Sequence, residues 1–295
     1  MAAKYPNFHR QKFLLMFLKL AGGVLSKIDF QKLVFLFQQK YKVTFYEFIP
    51  YHYGCYSLQA NEDMDILQKQ GWLAIKDKQI ELIDKHPKSI DCYADVKRFL
   101  STCDDLRGDE LIRRVYLAHP YYAINSRIAH NLLTEEELAK IKNEKQKFRF
   151  TTTTLFTIGY EGTTIEAYIN KLIQNDIRLL CDVRNNPLSR KYGFSKTMLA
   201  KVLQELNIAY VHIPALGIVS EKRKNLKEQT DYKALFDEYN KALPKKKVYI
   251  DKVFALLRDQ KRIALTCFEK DPDFCHRHVL SQFMKDNYSV KVVDL

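Results

Sequence analysis

The sequence predicts an α/β protein in two parts, a mainly helical first part and a second part with a mostly parallel sheet. Before residue 150 apolar residues recur with helical spacing, whereas after residue 154 short apolar strands alternate with helices. Such alternation builds βαβ units, whose right-handed crossovers make the strands parallel. A charged, solvated segment at residues 142–147 separates the two patterns. The predicted domains are residues 1–148 and 152–295.

Composition narrows the class of protein before any motif is considered. The chain has 295 residues, 46% of them hydrophobic, which is enough for the cores of two ordinary domains. No apolar run approaches the length of a bilayer span, and the N-terminal apolar run has no plausible cleavage site after it. The six cysteines lack the regular spacing of a disulfide scaffold. We therefore expect a folded, cytoplasmic protein with reduced thiols and no membrane partner.

The charge balance points to an anionic partner. Lys and Arg number 48 against 35 Asp and Glu, which gives a formal net charge of +13. Such an excess attracts polyanions through counterion release and electrostatic steering. Nucleic acid, DNA or RNA, is the obvious candidate, and a generally lysine-rich composition is the alternative.

In the first part, three helices precede a strand, a charged turn and a second strand. Gly22 and Gly23 separate the first two helices, Asp29 is a candidate cap for the second, and Gly71 ends the third. Three helices and such a hairpin resemble a winged helix, which can place its third helix in a DNA groove. The predicted helices span residues 11–20, 29–39 and 57–69, and the strands span residues 72–75 and 79–83.

The third helix is acidic, since it carries Glu62, Asp63 and Asp65, and these negative charges disfavour contact with phosphate. We therefore expect DNA contacts from the helix ends, from the wing lysines Lys76 and Lys78, or from another surface.

Two segments of the first part are similar to Panacea-type antitoxin and phage-associated domains. These domains share a KL-rich helix followed by a YG-x-YS turn, which read here as QKLVF at 31–35 and YGCYS at 53–57. The resemblance implies an interaction module for nucleic acid or protein. A helical accessory domain with no special partner is the alternative.

In the second part, the polar residues with chemical function fall at the ends of predicted strands. The predicted strands span residues 155–159, 177–183, 208–213, 262–267 and 289–293, and the helices residues 164–174, 195–206, 231–259 with a break at Pro244, and 276–286. All carboxyl ends of a parallel sheet face one side, where open α/β sheets bind ligands. A common cleft there would gather Tyr160, Glu161, Asp182, Arg184, His212, Cys267, Glu269, Cys275, His276 and Arg277.

Four ordered motifs carry a family resemblance over nearly all of residues 155–295. They are TIGYEG, CDVRNNPLSRKYGFSK, YVHIPALG and CFEKDPDFCHRHVL, and they resemble domain-of-unknown-function family 488. The resemblance implies a Rossmann-like α/β domain with the strand-end residues in common, but it supplies no reaction. Where many members read His-Ser, this chain has Tyr160 and Glu161, which argues against an obligatory acid or base at position 160.

The predicted cleft favours an anionic ligand. Arg184 and Arg277 suit a phosphate or carboxylate, because guanidinium groups bind such ligands bidentately. Tyr160, His212 and Cys267 are further candidate binding residues. Asp182 beside Arg184 is a candidate for proton exchange, with a structural ion pair between the two as the alternative.

The last motif supplies reactive groups. Cys275 precedes a helix, where free N–H groups and neighbouring cations stabilise a thiolate, and Glu269 or His276 would handle protons. The alternative for each cysteine is a small buried side chain. We assign no metal ligands and leave the cofactor unknown. Zinc on Cys267, Cys275 and His276 remains open, although their spacing matches no paired zinc signature.

Two basic loops follow the second and third strands of this part. With Tyr192 and Phe194 they would contact backbone phosphates and stack bases, and solvated loops are the alternative. The candidate nucleic-acid-binding residues are Arg190, Lys191, Lys222, Arg223 and Lys224.

These observations favour a nucleic-acid-associated protein whose second domain binds, and in one version processes, a phosphate-bearing substrate in a strand-end cleft. The first domain would supply contacts with DNA or a partner. Two alternatives stay open: a thiol-dependent enzyme acting on a small molecule, and a non-catalytic regulator or defence component that senses a nucleotide. The sequence does not indicate an oligomeric state.

Overall fold

The computed structural model describes residues 5–83, 87–88, 90–223, 226 and 228–295. The chain divides into two compact units, Met1–Lys147 and Phe148–Leu295. Within the described residues, no helix is both long enough and apolar enough to cross a membrane.

The first unit is mainly helical and carries two small antiparallel sheets. One sheet has the order β1-β5-β4, and the other is the hairpin of β2 and β3. The helices are α1 (His9–Leu20), α2 (Lys27–Tyr41), α3 (Leu58–Lys69), α4 (Tyr93–Ser101), α5 (Gly108–Ala118), α6 (Ala129–Leu132) and α7 (Glu135–Gln146), and the strands are β1 (Val24–Ser26), β2 (Ile49–Tyr51), β3 (Gly54–Tyr56), β4 (Leu73–Lys76) and β5 (Gln79–Leu82).

Local signals set the ends of these helices. The Ser26 side chain accepts a hydrogen bond from Asp29 N and caps α2, so Asp29 lies in the first turn rather than at the cap. Ser57 caps α3 in the same way. The sequence missed β1, β2 and β3, because strands of three residues are too short to show an alternating pattern.

The KL-rich helix and the YG-x-YS turn form one packing unit inside the first unit. The Gln31 amide donates to Ser57 O at 3.1 Å and accepts from Ser57 N at 2.9 Å. Buried Lys32 donates to Cys55 O at 2.9 Å, and burial lowers the pKa of this lysine. Gly54 has a φ of +94°, and a Cβ there would meet the Tyr116 ring at 2.5 Å. These motif residues therefore have structural roles.

One carboxylate of the acidic third helix is buried and hydrogen-bonded to other residues of the first unit. Asp63 is fully buried and accepts hydrogen bonds from Arg10 Nε at 2.6 Å and Gln11 Nε2 at 2.8 Å. Lys76 and Lys78 lie exposed on the β4–β5 hairpin. The winged-helix resemblance and its DNA contacts stay predictions.

We predict that Gln31→Ala lowers the free energy of unfolding of the first unit by about 1–3 kcal/mol, because the buried backbone groups of Ser57 lose their partner. Trp72 is the only tryptophan, so its fluorescence during urea unfolding reports on this unit. Gln68→Ala, at an exposed position of α3, is the control and should change stability by less than about 0.5 kcal/mol. Equal effects of the two variants would contradict the role of Gln31.

The second unit contains a five-stranded parallel sheet with the order β10-β6-β9-β7-β8. This confirms the predicted α/β class. The strands are β6 (Thr154–Gly159), β7 (Leu179–Asp182), β8 (Ala209–His212), β9 (Arg262–Cys267) and β10 (Val292–Asp294), and the helices are α8 (Ile165–Gln174), α9 (Lys196–Glu205), α10 (Gln229–Ala242), α11 (Lys247–Gln260) and α12 (His276–Tyr288).

Helices cover both faces of this sheet, so its central strands are apolar on both sides. Every residue of β7 and β9 is buried. One face packs on α10, α11 and α12 through a single apolar core that includes Tyr239, Val253 and Leu280. On the other face, Tyr168 of α8 donates to Thr266 of β9 at 2.8 Å. The strand order places β9, the strand of the last motif, at the centre of the sheet.

Candidate functional site

A cleft of about 330 Å³ lies where the central strands of the second unit end. Parallel pairing brings the end of β6 beside β9, and the end of β7 beside β9 and β8. The loops that leave these strands are also joined, because the amides of Tyr160 and Glu161 both donate to Phe268 O. The walls of the cleft include Tyr160, Arg184, Arg190, Arg223, Cys267 and His276.

A buried ion pair supports one wall of the cleft. Asp182 is fully buried and Arg184 is 5% exposed. Arg184 Nε lies 2.9 Å from Asp182 Oδ1, and its Nη2 lies 2.5 Å from Oδ2. Tyr210 also donates to Asp182 Oδ2, at 2.6 Å. Both carboxylate oxygens are therefore engaged, which favours the structural pair over proton exchange by Asp182.

The Nη1 donor of Arg184 holds an aromatic pair beside the cleft, of which Tyr160 lines it. Arg184 Nη1 donates to Tyr160 Oη and to Phe194 O, each at 2.9 Å. The Tyr160 and Phe194 rings stack with centroids 4.4 Å apart. Phe194 is fully buried, so the proposal that it stacks bases is wrong. His212 Nε2 lies 2.8 Å from Arg184 O, and this contact fixes the backbone beside the cleft.

Arg277 shapes the loop between β9 and α12. Its side chain is 1% exposed, and its guanidinium donates to the carbonyl oxygens of Glu269 and Lys270 and to the Thr157 hydroxyl. The loop also presses on β6, because a Cβ at Gly159 would lie 1.8 Å from Glu269 O. These contacts occupy Arg277 with the backbone, so the geometry favours a structural role over direct phosphate binding.

The loop places two thiols, an imidazole and a carboxylate together. Cys267 Sγ lies 3.6 Å from His276 Nδ1 and 3.4 Å from Glu269 Oε2. Sγ of Cys275, at the N-cap of α12, lies within 4.8 Å of Cys267 Sγ and of a His276 ring nitrogen. Glu269 pairs with Arg223, whose Nη1 lies 2.5 Å from Oε1. The side chains of the last motif therefore meet beside the cleft, and Cys267 and His276 line it.

The protonation of this cluster follows from its contacts. Burial alone raises the pKa of the Cys275 thiol, but hydrogen bonds with Cys267 and His276 and the charge of Arg277 hold it well below its usual range. The hydrogen bond to Cys275 and burial raise the pKa of Cys267, because the Cys267 thiol donates to the Cys275 sulfur. Burial and the neighbouring Cys275 raise the pKa of Glu269 by more than the positive charge of Arg223 lowers it.

The predicted basic loops divide between the cleft and other surfaces. Arg190 is exposed and Arg223 is half-buried, and both line the cleft. Lys191 donates to Tyr160 O at 2.9 Å, and Lys222 pairs with Glu238. Lys224 lies outside the described residues.

Sequence reasoning missed several cleft residues. Asn185, Asn186 and Phe268 line the cleft, and Phe268 is 42% exposed. Both asparagines follow Arg184 directly, and Phe268 follows Cys267, so each stands inside a motif that the sequence had singled out. Their position directly after a strand end was the signal that would have found them.

The fold and the site define a class: an α/β domain with a parallel sheet, a strand-end cleft and a Cys–Glu–Cys–His group beside that cleft. The model of the family described as Domain of unknown function DUF488 matches residues 164–284. The C-terminal part of the chain therefore carries a DUF488 domain, as its motifs predict; three of them lie within the match, and TIGYEG precedes it. No curated protein and no solved structure matches the chain.

We predict that Asp182→Ala lowers the free energy of unfolding of the second unit by about 3–5 kcal/mol, because it leaves the buried Arg184 charge without a partner. The measurement is urea unfolding followed by far-ultraviolet circular dichroism, with Trp72 fluorescence reporting separately on the first unit. Asp251→Ala breaks an exposed pair with Lys247 and a hydrogen bond from Tyr288, and it should cost much less than Asp182→Ala. A loss for Asp182→Ala as small as that of the control would refute a supporting role for the buried pair.

Proposed function

We propose that the DUF488 domain binds a phosphate-bearing nucleotide, free or within a nucleic-acid strand, in the strand-end cleft. The observation that carries this proposal is an unsatisfied hydrogen-bond donor on Arg223. Its Nε is buried and, among the described residues, has no hydrogen-bond partner. A buried donor without a partner is costly, and an anionic ligand in the cleft would supply the acceptor.

The charge of the cleft supports an anion. Arg190 and Arg223 line it, and the nearest carboxylates are already paired, Asp182 with Arg184 and Glu269 with Arg223. Asn185 and Asn186 add amide donors. The cleft therefore presents more positive than negative charge, and guanidinium groups bind phosphate oxygens in pairs.

The rim of the cleft supports a nucleotide over a simple phosphate. Phe268 meets the Tyr160 ring edge to face at 5.3 Å, and it remains 42% exposed. An exposed aromatic ring beside arginines is a platform on which a base can stack. Leu188, 78% exposed, adds apolar surface at the same cleft.

In this proposal, the phosphate-binding role belongs to Arg190 and Arg223 rather than to Arg184 and Arg277. Arg184 and Arg277 are buried and bound to protein groups, so their guanidinium groups position the walls. The first unit would add contacts to a nucleic-acid strand through exposed lysines such as Lys76 and Lys78.

The test is fluorescence anisotropy of labelled single-stranded DNA and RNA at low salt, together with thermal-shift screening of nucleotides. We expect Arg190→Ala and Arg223→Ala each to weaken binding about tenfold or more, because each removes a charge-assisted hydrogen bond. The slope of the logarithm of the binding constant against the logarithm of salt concentration should become shallower by about one for each substituted arginine that contacts a phosphate of the strand.

Arg258→Ala is the matched control. This exposed arginine lies in the last turn of α11, shortly before β9 begins. The cleft lies where β9 ends, so Arg258 is near the opposite end of that strand. It should bind as the wild type does. The proposal fails if the wild-type protein binds neither the nucleic acids nor any nucleotide, or if both cleft variants bind like Arg258→Ala.

A further inference from the structure

Three ligand-type side chains converge beside the cleft, and two of them line it. Cys267, Cys275 and His276 each offer one donor atom, and these atoms all lie within 4.8 Å of one another. All three residues are buried, at 2%, 0% and 1% exposure. Thiolate sulfur and imidazole nitrogen are the donors that Zn²⁺ and related transition-metal ions prefer.

The backbone fixes this convergence. Cys267 ends the central strand β9, while Cys275 is the residue directly before α12 and His276 begins that helix. Arg277 binds the carbonyl oxygens of Glu269 and Lys270 in the intervening loop, so the strand end and the helix start are held together. The donor atoms are therefore pre-positioned by rigid elements, as a metal site requires.

The imidazole is in the tautomer that a metal ligand needs. His276 Nε2 lies 3.1 Å from Val183 O, and a carbonyl oxygen only accepts hydrogen bonds, so Nε2 carries the proton. In the neutral ring, Nδ1 then keeps its lone pair and faces Cys267 Sγ. Metal-bound histidines characteristically donate their other ring N–H to a carbonyl or carboxylate group.

The separation of these two donors fits one shared ion. Tetrahedral zinc with ordinary Zn–S and Zn–N bonds places sulfur and nitrogen about 3.6 Å apart. Cys267 Sγ and His276 Nδ1 are 3.6 Å apart. A thiol–imidazole hydrogen bond has a similar length, so a metal titration is needed to distinguish them.

We propose that Cys267, Cys275 and His276 bind one Zn²⁺-type ion, with the remaining coordination position open to the strand-end cleft. Cys267 and His276 both line that cleft, so the open side faces the ligand space. Two thiolates and a neutral imidazole balance a divalent cation, and binding releases the remaining thiol proton to solvent. Three protein ligands with one open position is the arrangement of catalytic zinc sites.

Arg223 and Glu269 surround the site without filling it. Arg223 Nη2 lies 3.4 Å from His276 Nδ1, a weak contact that a bound ion would replace. Glu269 Oε2 lies 3.4 Å from Cys267 Sγ, while Oε1 pairs with Arg223. This pair positions the carboxylate beside the proposed ion, where it would hydrogen-bond a water in the open position.

The test is a Co²⁺ and Zn²⁺ titration of the full chain, purified without a histidine tag, reduced, stripped with a chelator and freed of it. We expect one equivalent of Co²⁺ to bind with a thiolate-to-cobalt charge-transfer band, and Zn²⁺ to displace it. Cys267→Ala, Cys275→Ala and His276→Gln should each weaken binding by more than about 100-fold, since loss of an outer partner alone costs about 10–100-fold.

Cys181→Ala is the matched control, because Cys181 is a fully buried thiol of the adjacent strand β7 outside the cluster. It should bind like the wild type. If the ligand variants fail to fold, the wild-type protein still decides the question: Zn²⁺ should raise its unfolding temperature, and Co²⁺ should give the charge-transfer band.

The proposal is overturned if folded, stripped wild-type protein binds neither ion, or if a Cys267→Ala, Cys275→Ala double variant binds as tightly. Either result would leave the cluster as a pair of interacting thiols. Ion binding is measured without nucleotide, so this proposal and the proposed function succeed or fail separately.

Discussion

The buried pair of Asp182 and Arg184 is the interaction on which the functional end of the second unit depends. The carboxylate ends β7, and the guanidinium reaches from there to Tyr160 after β6 and to Phe194 before α9. A buried charge pair contributes little net stability, but removal of one partner leaves the other uncompensated. Its main effect here is to fix the conformation of the β7–α9 loop and to join that loop to the one after β6.

The arginines around the cleft differ in burial, and so they have different roles. Arg184 and Arg277 donate to the protein's own carboxylate, hydroxyl and carbonyl groups, and so build the walls of the cleft. Arg190 and Arg223 lie in loops and line the cleft. Arg223 Nε has no hydrogen-bond partner among the described residues. An anionic ligand would therefore meet the loop arginines first.

The centre of the sheet concentrates the remaining chemistry. Because β9 lies between β6 and β7, Phe268 after it meets the loop after β6, and His276 meets Val183 after β7. These contacts place Cys267, Cys275 and His276 together beside the cleft. The proposed anion contacts and the proposed metal centre would therefore place two kinds of ligand group around one space.

The sequence alone determined the α/β class, the alternation of strands and helices and the set of strand-end residues, because apolar periodicity and the loop motifs are local properties. It did not show β1 or the β2–β3 hairpin, because strands of three residues are too short for an alternating pattern and because β1 pairs with a strand distant in sequence.

Only the tertiary structure decided the roles of individual side chains. Arg184 and Arg190 look alike in the sequence, yet one is buried against a carboxylate and the other is exposed. Cys267 and Cys275 match no paired zinc spacing, yet the turn from β9 into α12 brings their donors within 4.8 Å. Burial and hydrogen-bond partners decide what a charged or thiol group can do, and both are set by segments far apart in the chain.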